Sequence, residues 1–171
     1  LDIGGVLVAG RNTVAIEVHQ GSLGSSDAGL DISLRGGGGL TGGFVFVDDA
    51  FGTDQPEYAT GILDPSGGES GGALHVTIGG LDNRVVPGPH ATSGAFMQSF
   101  TLAAAAVLEI SFRYRLVNSD PLEASEVGAA DFEIDGGRYG NDTNNSLVRI
   151  NNGGDSGWQS ATFNVSLQAG N

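Results

Sequence analysis

Thr13-Val14-Ala15-Ile16-Glu17-Val18-His19-Gln20 and, after a polar stretch from Gly21 to Ala28, Leu30-Asp31-Ile32-Ser33-Leu34 decide how this chain folds. Each alternates with period two: Val14, Ile16 and Val18 share one face, and so do Leu30, Ile32 and Leu34. Leu7-Val8-Ala9-Gly10-Arg11-Asn12 before them reads as a turn, so residues 1–35 are expected to form a β-hairpin with one apolar face. Two strands alone are marginal in water and cannot bury such a face. The pair must therefore dock on something. Leu167-Gln168-Ala169-Gly170-Asn171 nearly repeats the turn at Leu7, as though the body of the chain stops where the N-terminal pair takes up the pattern.

Between the pair and the body lies Gly36-Gly37-Gly38-Gly39-Leu40-Thr41-Gly42-Gly43, a flexible tether by composition. It spans at most about 28 Å at roughly 3.5 Å per residue, enough to reach across one domain or to a neighbour. Residues 44–171 then read as strand after strand. Leu74, Val76 and Ile78 face one way. Leu108, Ile110, Phe112, Tyr114 and Leu116 alternate with Glu109, Ser111, Arg113 and Arg115 in the longest run, and Ala161, Phe163, Val165 and Leu167 line the last. No stretch has the period of an amphipathic helix. About ten short strands divided by Gly, Asp and Asn turns predict an all-β fold, an antiparallel β-sandwich of jelly-roll type.

Composition narrows the function. Glycine supplies 30 of 171 residues, as many tight turns require, and there is no cysteine to form a disulfide or a thiolate metal site. Lys+Arg number 7 against 20 Asp+Glu, a net charge of −13. Such a surface repels phosphate backbones and anionic lipid, so neither nucleic acid nor membrane insertion is expected. It suits a soluble extracellular or cell-surface protein and the binding of cations.

A resemblance adds to this. Asp49-Ala50-Phe51-Gly52, Tyr58-Ala59-Thr60-Gly61, Gly71-Gly72-Ala73-Leu74, Gly79-Gly80-Leu81-Asp82-Asn83, Ser99-Phe100-Thr101, Ile110-Ser111-Phe112-Arg113-Tyr114, Ile134-Asp135-Gly136 and Gly157-Trp158-Gln159 follow one another. In that order, residues 44–171 resemble the jelly-roll, galactose-binding-like β-sandwich modules of large bacterial extracellular proteins. Such modules close with a turn and two strands after the Gly-Trp segment. Here the segment that resembles this closing pair is Gly10 to Gln20, at the N-terminus. The resemblance also implies a structural Ca2+ near the terminal strands and sugar binding on exposed aromatic rings. Asp48, Asp49 and Asp135, beside turns, are the candidate Ca2+ ligands, since calcium takes loop and carboxylate oxygens. Tyr58, Tyr139 and Trp158 are the candidate platforms for polysaccharide, with Arg84 or Arg138 nearby in sequence.

Catalytic patterns are thin. Gly68-Glu69-Ser70-Gly71-Gly72 matches a nucleophile-elbow spacing but lacks the strand before and the helix after that the elbow needs. Gly154-Asp155-Ser156-Gly157 looks locally like a serine-protease nucleophile, yet nothing around His19, His75 or His90 completes a triad. Carboxylate pairs among Glu57, Glu109, Glu123, Glu126 and Glu133 are inevitable in so acidic a chain. The histidines have neither helical spacing nor cysteine partners for zinc. The chain is therefore expected not to be an enzyme. Two roles remain open: a self-assembling structural subunit whose N-terminal pair completes the sandwich of another copy, head to tail, or a glycan-binding module that folds the pair back on itself. Either way Val14, Ile16, Val18, Leu30, Ile32 and Leu34 are expected to fill a groove in a sandwich.

Overall fold

The computed structural model describes residues 12–20, 28–33, 43–48, 59–78, 92–100, 104–118, 127–151 and 153–168, the first two segments and residue 92 by their backbone. Every element among them is a strand: β1 (Asn12–Gln20), β2 (Ala28–Ser33), β3 (Val45–Asp48), β4 (Ala59–Gly68), β5 (Gly71–Ile78), β6 (Thr92–Phe100), β7 (Ala106–Asn118), β8 (Gly128–Ile134), β9 (Gly137–Tyr139), β10 (Val148–Ile150), β11 (Gly154–Asp155) and β12 (Gln159–Leu167). They form two antiparallel sheets. One runs β10-β8-β1-β6-β3 with β9 also on β8; the other runs β11-β7-β2-β5-β4 with β12 also on β7.

The described residues are thus all-β, as the alternation predicts. Val76, Ile78, Phe112, Tyr114 and Leu116 of one sheet share a buried cluster with Phe96, Ala130, Phe132 and Ile134 of the other. The Phe112 and Phe132 rings lie 4.9 Å apart between the sheets. Two antiparallel sheets around one core are compatible with a β-sandwich. β7 keeps its apolar alternation, with Ile110, Phe112, Tyr114 and Leu116 all buried. β8 differs: Ala129 and Asp131 are buried as well as Ala130 and Phe132, so both of its faces are covered and small residues fill one of them.

Turns follow local chemistry. Asp135 and Gly136 join β8 to β9 with φ of 50° and 76°. Both lie in the left-handed region that a two-residue hairpin of matching twist requires, and Asp-Gly tolerates it. β4 and β3 touch where Phe46 crosses Gly61. A Cβ at Gly61 would collide with the Cδ2 edge of the Phe46 ring, so glycine there is a matter of space.

One expectation is corrected. β1 and β2 do not form a hairpin ladder with each other; they separate into different sheets. The reason is that two strands, each with one apolar face, bury both faces when the faces oppose each other across a core. Side by side, they would present a single face needing a further layer.

Candidate assembly site

Each strand of the N-terminal pair fills the middle of its sheet. β1 lies between β6 and β8, with nine register positions against the first and seven against the second. Ile16 is opposite both Phe96 and Phe132, Val18 opposite Gly94 and Ala130, and Val14 opposite Gln98 and Ile134. β2 lies between β5 and β7, where Leu30 is opposite Val76 and Leu116, and Ile32 opposite Leu74 and Tyr114. Directly opposed residues in a ladder share a face. Phe96, Phe132, Ala130, Ile134, Val76, Leu116, Leu74 and Tyr114 are all buried. Val14, Ile16, Val18, Leu30 and Ile32, five of the six expected groove residues, thus hold register positions in the two central strands. The sixth, Leu34, lies outside the described residues, as do residues 36–42 of the expected tether.

The physical consequence concerns edges. Without β1, β6 and β8 each present a bare row of N–H and C=O groups; without β2, β5 and β7 do the same. Residues 44–171 would then be two pairs of half-sheets with four open edges at their centre, an arrangement that backbone hydrogen bonding cannot leave unfilled.

The other candidate residues are dispersed. Asp48 ends β3 and is exposed, in register with Gly94, which is opposite Val18, itself opposite Ala130. Asp135 follows Ile134 at the other end of β8, three strands away. At about 3.3 Å per residue and 4.8 Å per strand the two are roughly 20 Å apart, so they cannot ligate one Ca2+. Asp49 lies outside the described residues, among which no group of three or more His, Cys, Asp or Glu is placed to hold a metal. Of the ring platforms, Tyr58 is outside the described residues. Tyr139 packs against Phe132 and Phe163, with centroids 6.3 and 6.0 Å away. Trp158 is half-buried, and its carbonyl accepts from Arg113 Nη2 at 3.5 Å. Arg138, next to Tyr139, is bound to Asp131 at 3.1 Å and Glu133 at 3.2 Å.

Both serines of the enzyme-like motifs have structural settings. Glu69-Ser70 is the β4–β5 turn, followed by Gly71 at φ 103°, and Glu69 accepts from Arg113 at 2.6 Å. Ser156 Oγ accepts from the Leu116 amide and donates to the Gly157 carbonyl, both at 2.9 Å, so it stitches the break between β11 and β12 to β7. Beside it Arg115 holds Asp155 in a two-pronged pair at 2.9 and 2.6 Å, which keeps that carboxyl down at about 2. His75, on the outer face, bonds Thr77 Oγ1 at 3.0 Å; His90 lies outside the described residues.

Period-two reading missed three contacts that fix the frame: Arg113–Glu69, Arg115–Asp155, and the Tyr114 hydroxyl, whose one proton is shared between the Leu147 carbonyl at 3.1 Å and Gln159 Oε1 at 2.9 Å. Their partners are 33 to 45 residues apart, and nothing local announces them. No family model, curated protein or solved structure matches the chain.

Proposed function

We propose that this protein is a non-catalytic structural subunit of the cell surface or extracellular space, which assembles by lending its N-terminal strand pair to another copy. One observation carries the reading: β1 and β2 are the central strands of both sheets, yet they precede the glycine-rich segment 36–43 and the whole body. Within one chain they pair with their own body. The same register is available in any second copy whose slots are empty, because the slots recognise backbone and alternating apolar residues. Donation passed head to tail from copy to copy, without reciprocal exchange or ring closure, produces a filament. The acidic surface and the resemblance to bacterial extracellular modules support the location.

A second reading keeps the pair in its own slots and makes the chain a glycan-binding module, supported by the half-buried Trp158 at the β11–β12 break. The two separate in solution. Light scattering behind size exclusion, with negative-stain microscopy, is expected to find polymers whose formation is lost in Ile16→Asp. A stable 17.3 kDa monomer under all assembly conditions removes the structural reading.

A further inference from the structure

The sheet containing β7 ends at β12, and β12 differs from every other edge strand described. β3 carries Asp48, β4 carries Asp64 and Pro65, β9 Arg138, β10 Arg149 and β11 Asp155. Charge and proline are the ordinary guards that stop sheet edges from pairing. β12, Gln159-Ser160-Ala161-Thr162-Phe163-Asn164-Val165-Ser166-Leu167, has no charge, no proline and no glycine over nine residues. It pairs with β7 along its whole length, and no strand among the described residues pairs with its other side.

Its residue order is also self-complementary. Turned antiparallel on itself about Phe163, the strand sets Thr162 opposite Asn164, Ala161 opposite Val165, and Ser160 opposite Ser166. On the outer face every pair is then polar with polar: Ser160, Thr162, Asn164 and Ser166 are all exposed. On the inner face every pair but the last is apolar with apolar. Phe163, at the pivot, belongs to a ring cluster, stacked 5.7 Å from Phe132, but is only half-buried. The outer rows continue this match. Ser111 bonds Thr162 at 2.8 Å, and Glu109 is in register with Asn164. A second copy would therefore bring the Ser111–Thr162 hydroxyls of one row against the Asn164–Glu109 of the other, donors facing acceptors.

We infer that β12 is a dimerisation edge, at which two copies of this chain join antiparallel about a two-fold axis through Phe163 to make one continuous sheet. In a chain of net charge −13 this uncharged strand is where two copies can approach. The contact is isologous, so it closes at two copies and is separate from lending β1 and β2.

The test uses full-length protein. Below the concentration at which polymers form, sedimentation equilibrium is expected to show a concentration-dependent dimer. Thr162→Glu with Asn164→Glu puts like charges opposite each other twice and weakens the dimer roughly tenfold or more. Thr162→Arg with Asn164→Glu makes the same positions attractive and restores it. A mixture of Thr162→Cys and Asn164→Cys proteins, carrying the only thiols present, is expected to form disulfide-linked heterodimers faster than either variant alone. A chain that is monomeric throughout, a dimer indifferent to the paired glutamates, or cysteine variants that cross-link no faster mixed than alone overturns the inference. An assembly held by exchanging β1 and β2 would be indifferent to the paired glutamates, so that outcome leaves the strand-lending reading intact, whereas a chain monomeric throughout overturns both.

Discussion

Asp155 shows what a residue can contribute from the surface. Two donors of Arg115 and the Gly157 amide bind its carboxylate, with the Arg115 side-chain bonds the largest cause of a pKa near 2. A carboxyl lowered on folding stabilises the native state fully above its unfolded value, about 3.9, and loses that contribution as pH falls through the folded value. Thermal stability is thus expected to fall between about pH 4 and 2 by an increment that Asp155→Asn abolishes. Melting curves across that range check it. Asp64, lowered by the Ser66 amide, acts in the same direction, so the residual slope in Asp155→Asn should not vanish. Tyr114 carries a different load. Its ring is in the core while its hydroxyl ties β7 to Leu147, between β9 and β10. Tyr114→Phe keeps the ring and deletes the bonds, leaving a buried carbonyl short of a donor at a cost of about 1–2 kcal/mol by urea unfolding. That Tyr114 would be core was legible from its place in the alternation. That its hydroxyl would find Leu147 was not, because the partner's position depends on how two edges meet.

At the scale of elements, the rows most evident in sequence belong to strands buried on one face. β5, β7 and β12 came out within three residues of their alternating runs, because a half-buried strand must alternate and little else does. β4 was invisible. Ala-Thr-Gly-Ile-Leu-Asp-Pro-Ser-Gly-Gly reads as turn chemistry, yet it pairs with β5, shifting register between Asp64 and Gly68. An edge strand tolerates proline and glycine that a central strand would not. Both chain positions of the N-terminal strands were legible, but their partition into two sheets was not, since period two gives a face and not a neighbour. This contrast yields a comparison of like with like. Ile62 on β4 is 58% exposed, whereas Ile16 on β1 stands in register between buried Phe96 and Phe132. Ile62→Asp is expected to change stability by no more than about 0.5 kcal/mol, and Ile16→Asp to cost about 3 kcal/mol or more. Equal costs in chemical denaturation would mean that β1 is not a central strand.

For the whole molecule, the order of elements in the chain and in the sheets points to one property of any assembly it forms. A copy that lends β1 and β2 must have its own slots filled by another, so growth has a direction: a donor end and an acceptor end. A version lacking residues 1–35 has slots but nothing to lend. Added as a minority to full-length protein during assembly from denaturant, it accepts a pair at one end of a growing polymer and passes none on. Mean filament length by electron microscopy is then expected to fall as its proportion rises, while the total mass assembled changes little. A peptide spanning residues 7–34 does the converse, filling slots without a body behind it, and is expected to cap the other end with the same shortening. If both additions leave filament length unchanged while Ile16→Asp still abolishes assembly, the strands are needed for folding each copy but are not what joins one copy to the next.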